Sequence, residues 1–145
     1  MIHYLCAILT IMALMGCDGY ILVKGNVYEW NNAPRNASEK IIVDTQVPFE
    51  FLDITPIAGA KVIVFHGGDY SKTAFAEDTI WQKSQNTDND GFFNIGDVTA
   101  PRKFTAIIRA QKEGYQKVET RFIHDKSNHQ AIILLIKEPQ IANQK

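Results

Sequence analysis

The chain has 145 residues, with 15 Lys and Arg against 16 Asp and Glu, and a formal net charge of −1. That balance, without a long run of like charge, excludes a basic surface for nucleic acid or anionic lipid. The length supports one domain with a real core, no internal repeat or low-complexity tract is visible, and two cysteines exclude a disulfide-dense scaffold.

Residues 1–16, MIHYLCAILTIMALMG, contain no Lys, Arg, Asp or Glu, and Tyr4 to Met15 is almost wholly apolar. As a helix that stretch rises roughly 18 Å, against a hydrocarbon core of roughly 30 Å, so it is too short to span. It has the length of the apolar region of a secretory signal. Leu14-Met15-Gly16-Cys17 then resembles the lipobox of bacterial lipoproteins, in which a small residue precedes a cysteine that is lipidated and becomes the new N-terminus. The usual basic segment before the apolar run is missing, and the amino terminus and His3 supply what positive charge there is. The resemblance implies a signal peptide over 1–16, lipidation at Cys17, a tether over 17–19 and residence in the bacterial cell envelope. Several acyl chains anchor firmly, since each buried CH2 contributes about 0.8 kcal/mol. Cys6 lies inside the signal, so a thioether at Cys17 leaves no thiol for a disulfide or a zinc site. Asp18 resembles the inner-membrane retention signal of enteric lipoproteins; other bacteria sort by other rules, and the choice of membrane stays open.

Beyond the tether the pattern is that of strands. Tyr20 to Tyr28 is rich in β-formers, Lys61 to His66 is a short apolar run, and Phe104 to Gln111 puts Phe104, Ala106, Ile108 and Ala110 on one face. Val118 to Phe122 alternates again, and Ala131 to Ile136 is a continuous apolar strand. Weaker candidates are Phe49–Ile54, Thr79–Gln85 and Phe92–Ile95. Turn signals separate them at Gly67-Gly68-Asp69, Asn89-Asp90-Gly91, Ala100-Pro101, Glu113-Gly114 and Lys126-Ser127-Asn128. No stretch holds a helical period over three turns. The expectation is an all-β chain: a single β-sandwich of about seven to eight strands over 20–138, with 139–145 as a tail.

Four segments then occur in order: Val23-Lys24-Gly25-Asn26-Val27-Tyr28, Pro56-Ile57-Ala58-Gly59-Ala60-Lys61-Val62, Thr87-Asp88 to Gly91-Phe92-Phe93-Asn94-Ile95, and Lys112-Glu113-Gly114-Tyr115. Together they resemble the carboxypeptidase regulatory-like domains. The resemblance implies a transthyretin-like (Ig-like, prealbumin-like) sandwich and covers nearly all of the chain after Cys17. The stretch Trp30–Thr55 departs from it, being much longer than the family's usual short link.

Asn86, Asp88, Asp90, Gly91 and Asp97 fall where a calcium-binding EF-hand loop places its first, third, fifth, sixth and twelfth residues. Such a loop also needs flanking helices and a bidentate Glu at its end. Here the flanks read as strands and the last residue is the shorter Asp97, so the segment is expected to be a hairpin turn without bound calcium. His124, Asp125 and His129 bracket a polar hairpin tip; lacking a third strong ligand or a helical spacing for zinc, they read as solvated loop residues. No metal or cofactor is expected. Gly67-Gly68-Asp69 lacks the context of a phosphate loop, the sequon Asn36-Ala37-Ser38 is idle behind a lipobox, and no catalytic frame is visible.

These readings point to a membrane-anchored envelope lipoprotein whose sandwich is a non-catalytic structural or protein-interaction module with an envelope protein as partner. An alternative is a module that binds carbohydrate or cell-wall polymer through Trp30 and Trp81; a hydrolase at the sandwich edge is a third. In Trp30–Thr55 the part Asn31 to Lys40 is polar and turn-rich, whereas Ile41-Ile42-Val43 and Val47 to Ile54 are too apolar to stay solvated. The second part is expected to fold back as an edge-covering strand, leaving Trp30 and Arg35 at an exposed contact loop.

Overall fold

Residues that alternate in polarity at every second position can bury only one face, and two such sheets must close on each other. The computed structural model, which describes residues 19–34, 37, 40–45, 52–67, 79–99 and 104–139, has this form. The described residues form strands alone: β1 (Gly19–Trp30), β2 (Ile41–Val43), β3 (Ile54–Pro56), β4 (Lys61–Gly67), β5 (Thr79–Asn86), β6 (Phe92–Thr99), β7 (Phe104–Gln111), β8 (Val118–His124) and β9 (Asn128–Leu135). The chain is an all-β sandwich of the transthyretin or Ig-like kind.

The first sheet runs β2-β9-β1, with β6 and β3 sharing the other side of β1. β6 pairs antiparallel along Gly19 to Asn26, and β3 takes over at Tyr28 to Trp30. β9 lies parallel to β1, from Leu22↔Asn128 to Glu29↔Leu135. The second sheet runs β5-β4-β7-β8 with antiparallel neighbours. Their inner faces meet in one core, where Ile21, Val23, Val27, Phe93, Ile95, Ile133 and Leu135 pack against Val62, Val64, Ala106, Ile108 and Val118. Gly25 shares the inward phase of β1, and a Cβ there would fall 1.7 Å from the Ala131 carbonyl oxygen. On the outer face of the second sheet Ile63, Phe65 and Ile107 form a small cluster, with the Arg109 guanidinium 5.1 Å above the Phe65 ring.

Two connections differ from the sequence reading. The segment between β5 and β6 is a turn, but it does not close a hairpin: β5 belongs to the second sheet and β6 to the first. The chain crosses the sandwich there, and the crossing is fastened by Lys83–Asp97 at 2.9 Å and by the Asn94 N–H donating to Gln85 Oε1 at 3.0 Å. The tip between β8 and β9 is likewise an inter-sheet corner. Local alternation reports where a strand lies but not which sheet it joins, and both corners therefore read as hairpins.

The apolar half of the Trp30–Thr55 insertion does fold back. Ile41–Val43 is an edge strand on β9, and Ile54–Pro56 pairs with the end of β1. The strand expected at Phe49–Ile54 begins only at Ile54, and its residues 49–51 lie outside those described. The turns expected at Gly68-Asp69 and Ala100-Pro101 also lie outside them.

Candidate functional site

β8 runs two residues beyond the expected Phe122, and β9 begins three residues before the expected Ala131. Each extension carries a histidine into the interior. His124 is in phase with Val118 on β8, and His129 is in phase with Ala131, Ile133 and Leu135 on β9. The two rings project inward from opposite sheets and meet. Both are buried, at 2% and 0% exposure, which corrects their reading as solvated loop residues.

His124 Nδ1 lies 3.0 Å from His129 Nε2, and His129 Nδ1 lies 2.7 Å from Asp44 Oδ2. Asp44 directly follows β2 and takes φ 56, a left-handed backbone that Asp tolerates better than most residues. Its N–H donates to the Gln130 carbonyl (2.8 Å), the Gln130 N–H donates back to Oδ1 (2.9 Å), and Lys126 Nζ stands 3.2 Å from Oδ2. Partial burial pushes the Asp44 carboxyl up. The Gln130 N–H, His129 and Lys126 outweigh that and hold it below its ordinary 3.8. Burial pushes His124 below its ordinary 6.5, the neighbouring His129 lowers it further, and Asp125 opposes both.

With a neutral His129, an ionised Asp44 places the imidazole proton on Nδ1, which leaves His129 Nε2 as an acceptor for His124 Nδ1–H. The result is a directed relay, His124 to His129 to Asp44, that spans the interior and ends at the edge strand. Phe104 and Phe122 wall it in, with ring centroids 4.7 Å from His124 and 4.8 Å from His129. Among the described residues no group of three or more His, Cys, Asp or Glu is placed to hold a metal ion. The signal that finds this relay in the sequence is alternation continued past the last apolar residue of each strand.

The calcium-like segment has other uses for its oxygens. Asp88 Oδ1 accepts the N–H groups of Asp90 (3.0 Å) and Phe92 (2.8 Å), Asp97 pairs with Lys83, and Gly91 takes φ 73. Beside it the buried Thr87 hydroxyl accepts Ala60 N–H (2.9 Å) and donates to Ile57 O (2.6 Å), tying the corner to the entry of β4.

Trp30 is half-buried at the end of β1, where its Nε1–H donates to Asn32 Oδ1 at 2.9 Å. Asn31 is held beside it by Asp53 Oδ1 (3.0 Å) and Thr55 Oγ1 (3.1 Å). Trp81 lies on β5 opposite His66, and its side chain is outside what is described. Strand directions place Trp30 beyond the β5–β6 corner and Trp81 five residues back from it, so the two positions lie at opposite ends, roughly 25 Å or more apart along the strands. Cys17 and Arg35 lie outside the described residues.

Neither a known family profile nor a curated protein sequence matches the chain. Solved structures do resemble it. Catechol 1,2-dioxygenase from Acinetobacter radioresistens aligns with TM-score 0.52 and 13% identity, over 88% of this chain and 55% of that one. 3-Chlorocatechol 1,2-dioxygenase from Rhodococcus opacus 1CP aligns with TM-score 0.51 and 12% identity, over 85% and 62%. The shaft pilin SpaA from Lactobacillus rhamnosus GG aligns with TM-score 0.50 and 8% identity, over 84% and 52%. The chain therefore spans between about half and three-fifths of the length of these proteins. At such identities the likeness is one of fold, a sandwich shared by enzymes and by structural subunits.

Proposed function

We propose that this protein is a lipoprotein of the bacterial cell envelope, anchored through Cys17, whose sandwich is a non-catalytic module for structural or protein–protein contact. The proposal keeps the likeness to carboxypeptidase regulatory-like domains as its family reading. The observation that carries it is the insertion after β1. Its apolar residues Ile41–Val43 and Ile54 are taken up in edge strands β2 and β3, while Asn31, Asn32, Pro34 and Asp53 stand exposed near the half-buried Trp30. A fixed aromatic with exposed polar residues around it fits a protein-contact surface. The fold likeness to a shaft pilin fits a structural role, and the likeness to dioxygenases carries no catalytic residue over.

Two measurements test this reading. Mass spectrometry of the membrane fraction should find an acylated Cys17 as the N-terminus, and Cys17→Ser should stop maturation; an unmodified chain beginning elsewhere overturns the anchor. Trp30→Ala should weaken capture of an envelope protein from detergent extracts and leave the melting temperature nearly unchanged. Unfolding of that variant would make Trp30 a core residue and overturn the contact surface.

A further inference from the structure

We propose that the Asp44–His129–His124 relay is an acid-release latch, which holds the β2 edge to the β8–β9 corner near neutral pH and lets go when both imidazoles carry an added proton. The reason is proton counting within a fixed geometry. With Asp44 ionised and both rings neutral, each contact has one donor and one acceptor. A first added proton is accommodated: it settles on His124 Nε2 as the Nδ1 proton passes to His129 Nε2, so that His129 donates from both nitrogens, to Asp44 and to His124 Nδ1. A second added proton leaves His124 Nδ1 and His129 Nε2 both as N–H donors, facing each other across 3.0 Å. Two cationic rings in a dry interior have no stable arrangement of that kind.

Among the described residues, the charged groups around the relay are Asp44 at the end of β2, and Asp125 and Lys126 in the corner. Lys126 opposes added positive charge and Asp125 is exposed, so its charge is screened. β7 contributes the Phe104 ring, β8 the Phe122 ring, and β1 sets Val23 beside His129. The burial that depresses His124 is the same burial that makes the doubly charged state untenable.

What the latch holds is a short edge of the first sheet. β2 is a three-residue strand with one described neighbour, β9, and Asp44 continues that pairing through its two-way contact with Gln130. Loss of the His129 contact loosens Asp44, and with it β2, baring the outer backbone edge of β9. An opened β9 edge is a template for strand addition by a partner chain.

Hydrogen exchange of the full chain in detergent, compared between about pH 7.5 and about pH 5 and corrected for intrinsic rates, tests the latch. Protection over residues 41–45 and 125–130 should fall about tenfold per pH unit once the solution passes below 6.5, with β4 and β7 unchanged. His124→Phe, which keeps the apolar contact with Phe104, should make that protection independent of pH. Nitrogen NMR of the wild-type imidazoles gives a reading that needs no variant: the His124 ring should take up its proton below the ordinary histidine value. A β2 edge whose protection follows that of β4 and β7 throughout, or a His124 ring that titrates at the ordinary histidine value, would overturn the latch.

Discussion

Gly91 and Gly114 both hold positive φ, at 73° and 81°, yet they answer to different constraints. A Cβ on Gly91 would lie 2.4 Å from the Val27 carbonyl oxygen and 3.2 Å from the Ile57 nitrogen, whereas nothing lies within 4 Å of one on Gly114. Gly114→Ala should therefore cost only the backbone strain, about 1 kcal/mol, while Gly91→Ala adds a steric clash with rigid backbone and should cost about 3 kcal/mol or more. Denaturant unfolding of the two variants checks the ordering, and equal losses would mean that backbone strain alone governs Gly91.

Residue-level ionisation sets the direction of acid sensitivity. Asp44 and His124 both have folded values depressed below their ordinary 3.8 and 6.5. The unfolded chain takes up protons first as pH falls, so the stability each contributes is complete above its ordinary value and drains away on acidification. His124 acts first, from 6.5 downward, and Asp44 follows below 3.8. Melting temperature should decline in two stages on acidification, and His124→Phe should remove the first stage only.

At the scale of elements, the β5–β6 crossing shows why an EF-hand spacing is not an EF-hand. The Asp88 carboxylate already serves two backbone N–H groups that fix the turn, so an ion would have to displace contacts the fold needs. Submillimolar calcium should leave the melting temperature unchanged; a rise of several degrees would signal binding by mass action. The strands themselves were legible, because alternation from Phe104 to Gln111 or Val118 onward is a direct image of a half-buried sheet. The relay was not, because polar residues at the ends of β8 and β9 break the apolar signal at the point where His124 and His129 continue its phase. The edge role of Ile41–Val43 was legible from its apolarity, but its partner β9 was not, since pairing between distant segments leaves no local trace.

For the molecule as a whole, the decisive pairing joins its first described strand to its last. β1 lies between β9 on one side and β6 and β3 on the other, and the β1–β9 ladder is parallel. Closing so long a loop before its contacts repay the entropy makes folding slow, on the order of milliseconds to seconds. Stopped-flow refolding followed by tryptophan fluorescence should find that range. Removal of 128–135 should abolish cooperative melting altogether, since β1 loses its parallel neighbour and β2 its described one. A truncated chain that still melts sharply would show that the remaining strands form a core of their own.

Under the proposed anchoring, the direction of β1 also sets which way the molecule would face. Gly19 starts the strand two residues after Cys17, a span of at most about 7 Å, and Trp30 ends it about 35 Å further on. With the proposed anchor at Cys17, the domain would stand on end like a post. In that orientation His129, level with Val23, would sit on the membrane side and the Trp30 end would be held farthest from the bilayer, where the proposed partner could approach it. The proton-responsive end would sample the water layer at the membrane surface, and the contact end the open compartment beyond it.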